Sequence, residues 1–239
     1  MSAITEQISA SIDTLTREFD IIAHNMANVS TVGYKRRCNA FSKSLEKQEG
    51  FSTDTVDSTS PLDFSQGSIV ETGRPLDLAL YGKGFLAIET PNGPLYTRNG
   101  MLHINQNNQI VDSMGRIVAG QSGPIAVPQN VGISQLSISG EGTISANGAA
   151  IGTLRLVAFE EEDKLVPAGE NCYRMPEEGV TPVEAENIVV KQGYQEASNV
   201  EIIDELVGMV LVSRLYEANI KTISALKETS SSLTSIAMG

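Results

Sequence analysis

The chain has 239 residues and a net charge of −12, which excludes the basic field that binding to nucleic acid or an anionic membrane requires. Apolar residues make up 41%, aromatics only 5%, and Trp is absent, so a modest core is expected, with part of the chain packing on other molecules. Met1-Ser2-Ala3-Ile4-Thr5-Glu6 lacks the basic and apolar runs of a secretory signal, and Leu206–Val212 is far short of the ~20 residues a membrane span needs. No membrane insertion is expected.

In chain order, Ile4, Ile8, Ile12, Leu15, Phe19, Ile22 and Met26 recur at steps of four and three. They define one apolar stripe on a helix ending near Asn28, with Glu6, Asp13, Arg17 and Asp20 off it. Lys35-Arg36-Arg37 reads as a solvated patch. Ser52–Ser60 is rich in Ser, Thr and Asp and reads as a linker. Phe85–Ile88 and Leu95–Thr97 flank Pro91-Asn92-Gly93-Pro94, a hairpin signal, and a second follows where Asn147-Gly148 succeeds Thr143–Ala146. Such short, closely spaced strands predict an antiparallel sandwich or irregular barrel. At the far end Ile202, Leu206, Met209, Tyr216, Ile220 and Ile223 hold a heptad register broken at Ser213, with Asn199 as the N-cap. The expected fold is mainly β with long terminal helices: residues 1–35 a helix and its cap, 36–69 a linker, 70–194 a β-rich domain, and 195–239 a helix paired with the first, coiled-coil-like. Two stripes that cannot be buried alone are most economically buried on each other and on neighbouring copies.

Chemistry-bearing motifs are scarce. Gly82-Lys83-Gly84-Phe85-Leu86-Ala87 fits a dinucleotide-binding pattern formally, but a hairpin follows where a helix is required. Two histidines, His24 and His103, stand outside any catalytic motif, and Cys38 and Cys172 lack metal-ligand spacing. Glu160–Asp163 reads as a solvated charge run. No enzyme, cofactor, metal or small-molecule substrate is expected. A β module that captures a ligand while its helices oligomerise is the alternative of another class.

The stretch Ala23–Lys35 is a helix terminator, with Asn25 and Asn28 to cap, Gly33 to bend the chain and Tyr34 as an aromatic anchor. Its Asn25, Ala27, Asn28, Thr31, Gly33, Tyr34 and Lys35 resemble the N-terminal signature of bacterial flagellar rod and hook axial proteins. Gly67–Leu80 with Gly82–Leu86 and Tyr96–Gly100, and then Gln192–Val200 with Glu205–Val207 and Arg214–Asn219, resemble two further family segments in family order. The resemblance implies a rod subunit of the FlgF/FlgG type, the proximal (FlgF) kind favoured over the distal (FlgG) by Ser122–Pro128 and the compact β region. It further implies terminal helices that form an axial tube, a β-rich outer layer and partners among other rod subunits. It also implies export by the flagellar type III apparatus without a cleaved signal, and a place in the periplasmic span of the basal body.

Overall fold

The computed structural model describes residues 2–38, 61–176, 181–185 and 187–238; the Ser52–Ser60 stretch expected as a linker lies outside them. The chain divides into two units. One holds both terminal helices, Met1–Ala27 and Glu201–Gly239, with Arg37; the other comprises Asn28–Arg36 and Pro61–Val200.

In the helical unit, α1 runs Ser2–Ala27 and α2 runs Ile202–Met238. Helix α1 ends within the signature, at Ala27, and the turn that follows is closed by the Thr31 amide donating to the Asn28 carbonyl at 3.0 Å. Asp204 and Glu205 occupy the first turn of α2, where carboxylates oppose the helix dipole. Two antiparallel contacts fix the direction of the pair. Gly208 lies against Ile22, and Asn219 Nδ2 donates to Ser11 Oγ at 3.0 Å.

The second unit is mainly β, with short 3-10 turns at Ile133–Gln135 and Glu162–Lys164. Its strands are β1 (Ile69–Glu71), β2 (Leu78–Tyr81), β3 (Phe85–Glu89), β4 (Leu95–Thr97), β5 (His103–Ile104), β6 (Ile110–Val111), β7 (Ile117–Val118) and β8 (Leu136–Ile138). There follow β9 (Thr143–Ala146), β10 (Ala149–Thr153), β11 (Leu156–Ala158), β12 (Val166–Gly169), β13 (Cys172–Arg174), β14 (Val183–Glu184), β15 (Val189–Gln192) and β16 (Tyr194–Glu196). All strand pairings among the described residues are antiparallel. A nine-stranded sheet in the order β12-β13-β4-β3-β7-β6-β5, with β11 and β14 joined beside β3, is accompanied by the three-stranded β10-β9-β8 and the pairs β1-β16 and β2-β15. Among the described residues this arrangement does not close into a barrel.

Strand β3 is covered on both faces. Its sequence is apolar at consecutive positions rather than alternate ones, the pattern of a strand covered on both faces. Leu86 and Ile88 join a core with Leu78, Leu80, Ile110, Ile144 and Leu154. Phe85 and Ala87 join a second core with Tyr96, Phe159 and Tyr173, where rings meet edge to face, as in Tyr96–Phe159 at 4.8 Å. The sheet therefore carries a core on each face. Both expected hairpins are present: β3–β4 with Ile88 opposite Leu95, and β9–β10 turning through Asn147 and Gly148 at positive φ. A hairpin also follows Gly82 and Gly84, so no helix opens there as dinucleotide binding would need. Cys38 and Cys172 are both free thiols.

Candidate functional site: an open helix pair and a closed signature junction

The helical unit buries little of its apolar surface. In α1, Ile22 is buried, Ile8, Ile12, Leu15 and Met26 are half-buried, and Phe19 is exposed; the side chain of Ile4 is not among those described. In α2, Met209 and Ile223 are half-buried, while Ile202, Leu206, Tyr216 and Ile220 are exposed. The line of α2 that turns inward runs instead through Glu205, Gly208, Met209, Val212, Asn219 and Ile223. Against α1 of the same chain, the inward line coincides with the heptad read from the sequence only at Met209 and Ile223. From Ile202 to Val212 only Asp204, Glu205 and Gly208 interrupt the apolar residues, so the periodicity there fits several registers equally. Gly208 is the close-approach point: a Cβ at this position would lie 3.2 Å from Ile22 Cδ1.

Polar groups close the end of the pair nearest the signature. Asn25 is fully buried and grips the backbone of Arg37 twice, accepting from its amide at 2.9 Å and donating to its carbonyl at 2.9 Å. The same Nδ2 donates to the buried Glu205 Oε1 at 3.1 Å. His24, half-buried, is held below the usual histidine range by burial and then by the Arg37 charge. Ala27 ends the helix and is exposed, and Asn28 caps the turn, its Oδ1 accepting from Thr31 Oγ1 at 3.1 Å.

The β unit contains a second construction that joins all three family-like segments. Lys35, expected as part of a solvated patch, is instead buried, at 1% exposure. Its Nζ donates to Glu196 Oε1 at 2.7 Å and to the Ser65 carbonyl at 2.6 Å. The compensating carboxylate lies 161 residues away, which a local charge run cannot reveal. Glu196 is itself fully buried, and its Oε2 accepts from Arg98 Nε at 2.9 Å. The rest of the Arg98 guanidinium is satisfied by the carbonyls of Gly82, Gly84 and Leu80. The Gly67 amide also donates to Glu196 Oε1, and the Gly33 amide donates to the Glu196 carbonyl at 2.8 Å. Gly33 is required twice over: its φ is +68°, and a Cβ there would lie 2.6 Å from the Asn99 nitrogen.

Around this junction, Tyr34 is buried as the aromatic anchor. Asn199 caps no helix. Its Oδ1 accepts from the Arg36 amide at 2.7 Å and its Nδ2 donates to the Asp63 carbonyl at 2.9 Å. Two cations against one anion are costly to bury, and burial pushes the Lys35 ammonium below its usual range despite the pull of Glu196. The arrangement persists because every charge is bonded. Sequence reasoning named Lys35 and Gly33 but missed Arg98 and Glu196 as a unit. The available signal was a charged residue inside each of the small-residue stretches Thr97–Gly100 and Gln195–Ser198.

The fold and these two constructions define an assembly protein: a β unit locked to its own chain ends, and helices with apolar surface left over. Comparison with known sequences identifies the class. Residues 79–146 match the flagellar hook protein FlgE/F/G D1 domain, and residues 191–236 match the flagellar basal body rod FlgEFG protein C-terminal family. The chain is 30% identical to the flagellar basal-body rod protein FlgG of Buchnera aphidicola subsp. Acyrthosiphon pisum, over 89% of this chain and 91% of the relative. It is 30% identical to FlgF of Salmonella typhimurium, over 95% and 94%, and 31% identical to FlgF of Escherichia coli, over 95% and 94%. The chain belongs to the flagellar basal-body rod protein family of the FlgF/FlgG type, as a structural subunit of the rod. Relatives of both kinds match at like identity, so the proximal kind expected from Ser122–Pro128 is not separated from the distal.

Proposed function

We propose that the subunit enters the rod through α2, whose uncovered apolar surface is buried by the helices of neighbouring subunits. Nine exposed apolar residues of α2 carry this reading: Ile202, Ile203, Leu206, Val207, Val210, Leu211, Leu215, Tyr216 and Ile220. Ile203 alone is 71% exposed. Together they leave on the order of 900 Å² to water, about what one partner of a stable interface buries. A helix apolar all round belongs in an interior, and α1 covers one side of it. The C-terminal part is different: Glu217, Lys221, Lys227 and Glu228 make that stretch polar. The packing is therefore densest on the first four turns or so, in a coiled-coil-like array of α1 and α2 helices from several copies.

Partners on this reading are other rod subunits, homotypic and heterotypic, and the flagellar type III apparatus delivers the chain to the periplasmic span of the basal body. No catalytic role is proposed. Replacing Val207 and Val210 together by Glu tests it. The purified variant keeps the thermal unfolding of its β unit, while rod incorporation and swimming are lost when it replaces the resident copy. Normal swimming by that strain would sink the proposal.

A further inference from the structure

The β unit is built from two kinds of pairing. Hairpins β3–β4 and β9–β10 join neighbours in sequence. The pairs β2–β15 and β1–β16 instead join strands more than a hundred residues apart, and both of the later strands come from the last stretch of the unit. Glu196 ends that stretch, and in it meet Lys35 and Gly33 from the start of the unit, Gly67 beside β1 and Arg98 after β4. Until Glu196 arrives, Lys35 and Arg98 have backbone carbonyls to donate to but lack the carboxylate that balances their charge, and β2 lacks its ladder partner. Closing a loop of this length costs more entropy than closing a hairpin and is rewarded only when the ends meet.

We propose that Glu196 is a late clasp, which locks the β unit only after residues from both of its ends have come together. Before residue 196 is in place, Lys35 and Arg98 lack their carboxylate and the unit stays unlocked. The inference concerns the free chain and does not rest on how α2 packs, so its failure and the failure of the packing proposal are separate results.

The test is refolding and unfolding of the full chain from denaturant, followed by tyrosine fluorescence because Trp is absent, together with pulse-labelled amide exchange. Glu196→Gln is expected to raise the unfolding rate more than tenfold and to change the refolding rate less than twofold, the partition of a contact formed after the transition state. Amides of Leu78–Tyr81 are expected to gain protection together with those of Val189–Gln192, after those of the β3–β4 hairpin. A refolding rate that falls in proportion to the lost stability would overturn the proposal, as would protection of Leu78–Tyr81 alongside the first hairpin. If Glu196→Gln does not fold, Glu196→Asp keeps the charge on a shorter arm, and the same partition of rates decides the matter.

Discussion

The signature junction and the helix pair solve opposite problems with the same chain ends. At the junction the costly groups, Lys35, Arg98 and Glu196, are buried and bonded within the chain. On α2 the groups that favour burial, Ile203, Val207 and Leu211, remain in water. Solvation costs run in opposite directions in the two places: the charges of the junction are bonded within the chain, and the apolar surface of α2 is left to water. On the proposed packing, the β unit is closed within its own chain and the helices are covered by neighbouring subunits.

The comparison is broken most severely at Arg98. Arg98→Met removes the guanidinium from Glu196 and leaves the carbonyls of Gly82, Gly84 and Leu80 without that donor. Removing one partner of a buried ionic set costs about 3–5 kcal/mol, so thermal unfolding of the β unit is expected to fall by roughly 10 °C. Calorimetry of the purified chain checks it. A shift of a degree or less would mean that the junction contributes no more than a surface ion pair.

Asn25→Ala is the smaller counterpart in the helical unit. It strips both bonds from the Arg37 backbone and one donor from Glu205. Unpaired buried polar groups put the cost at about 1–3 kcal/mol. Amide exchange is expected to rise in the last turn of α1 and the first turn of α2, while the β unit keeps its protection. Equal loosening of both units would show that the two constructions are not energetically separate.

How much of this the sequence discloses depends on how local each cause is. The end of α1, the β3–β4 and β9–β10 turns and the apolar run of β3 are short-range matters of capping, turn chemistry and strand pattern, and all are readable from Ala23–Lys35, Pro91–Pro94, Asn147-Gly148 and Phe85–Ile88. The role of Lys35 is not, because its partner is Glu196 and nothing near Lys35 marks it. Nor is the inward face of α2 readable, since apolar residues surround the helix and the register is set by what lies opposite, where Ile22 of α1 meets Gly208. The expected N-cap, Asn199, was misassigned for a related reason: its amide is used by the backbone of Arg36 and Asp63, which are distant in sequence.

Glu162 supplies the mildest and most diagnostic test of how complete the closure is. It is half-buried and lines a cavity of about 220 Å³ with Phe64, Phe85 and Arg98. Burial raises its carboxyl above the usual range, outweighing attraction from Lys83, Arg98 and Lys35. A carboxyl whose folded pKa lies above its unfolded one contributes stability that is fully present below the unfolded value and is lost as the pH rises through the folded value. At neutral pH the ionised side chain therefore works against the fold, which it does not do near pH 4. Glu162→Gln, neutral at every pH, is expected to raise the unfolding temperature of the β unit at pH 7, with the gain vanishing toward pH 4. A variant less stable than the parent at pH 7 would instead make Glu162 a bonded member of the cationic cluster, extending the junction from one buried carboxylate to two.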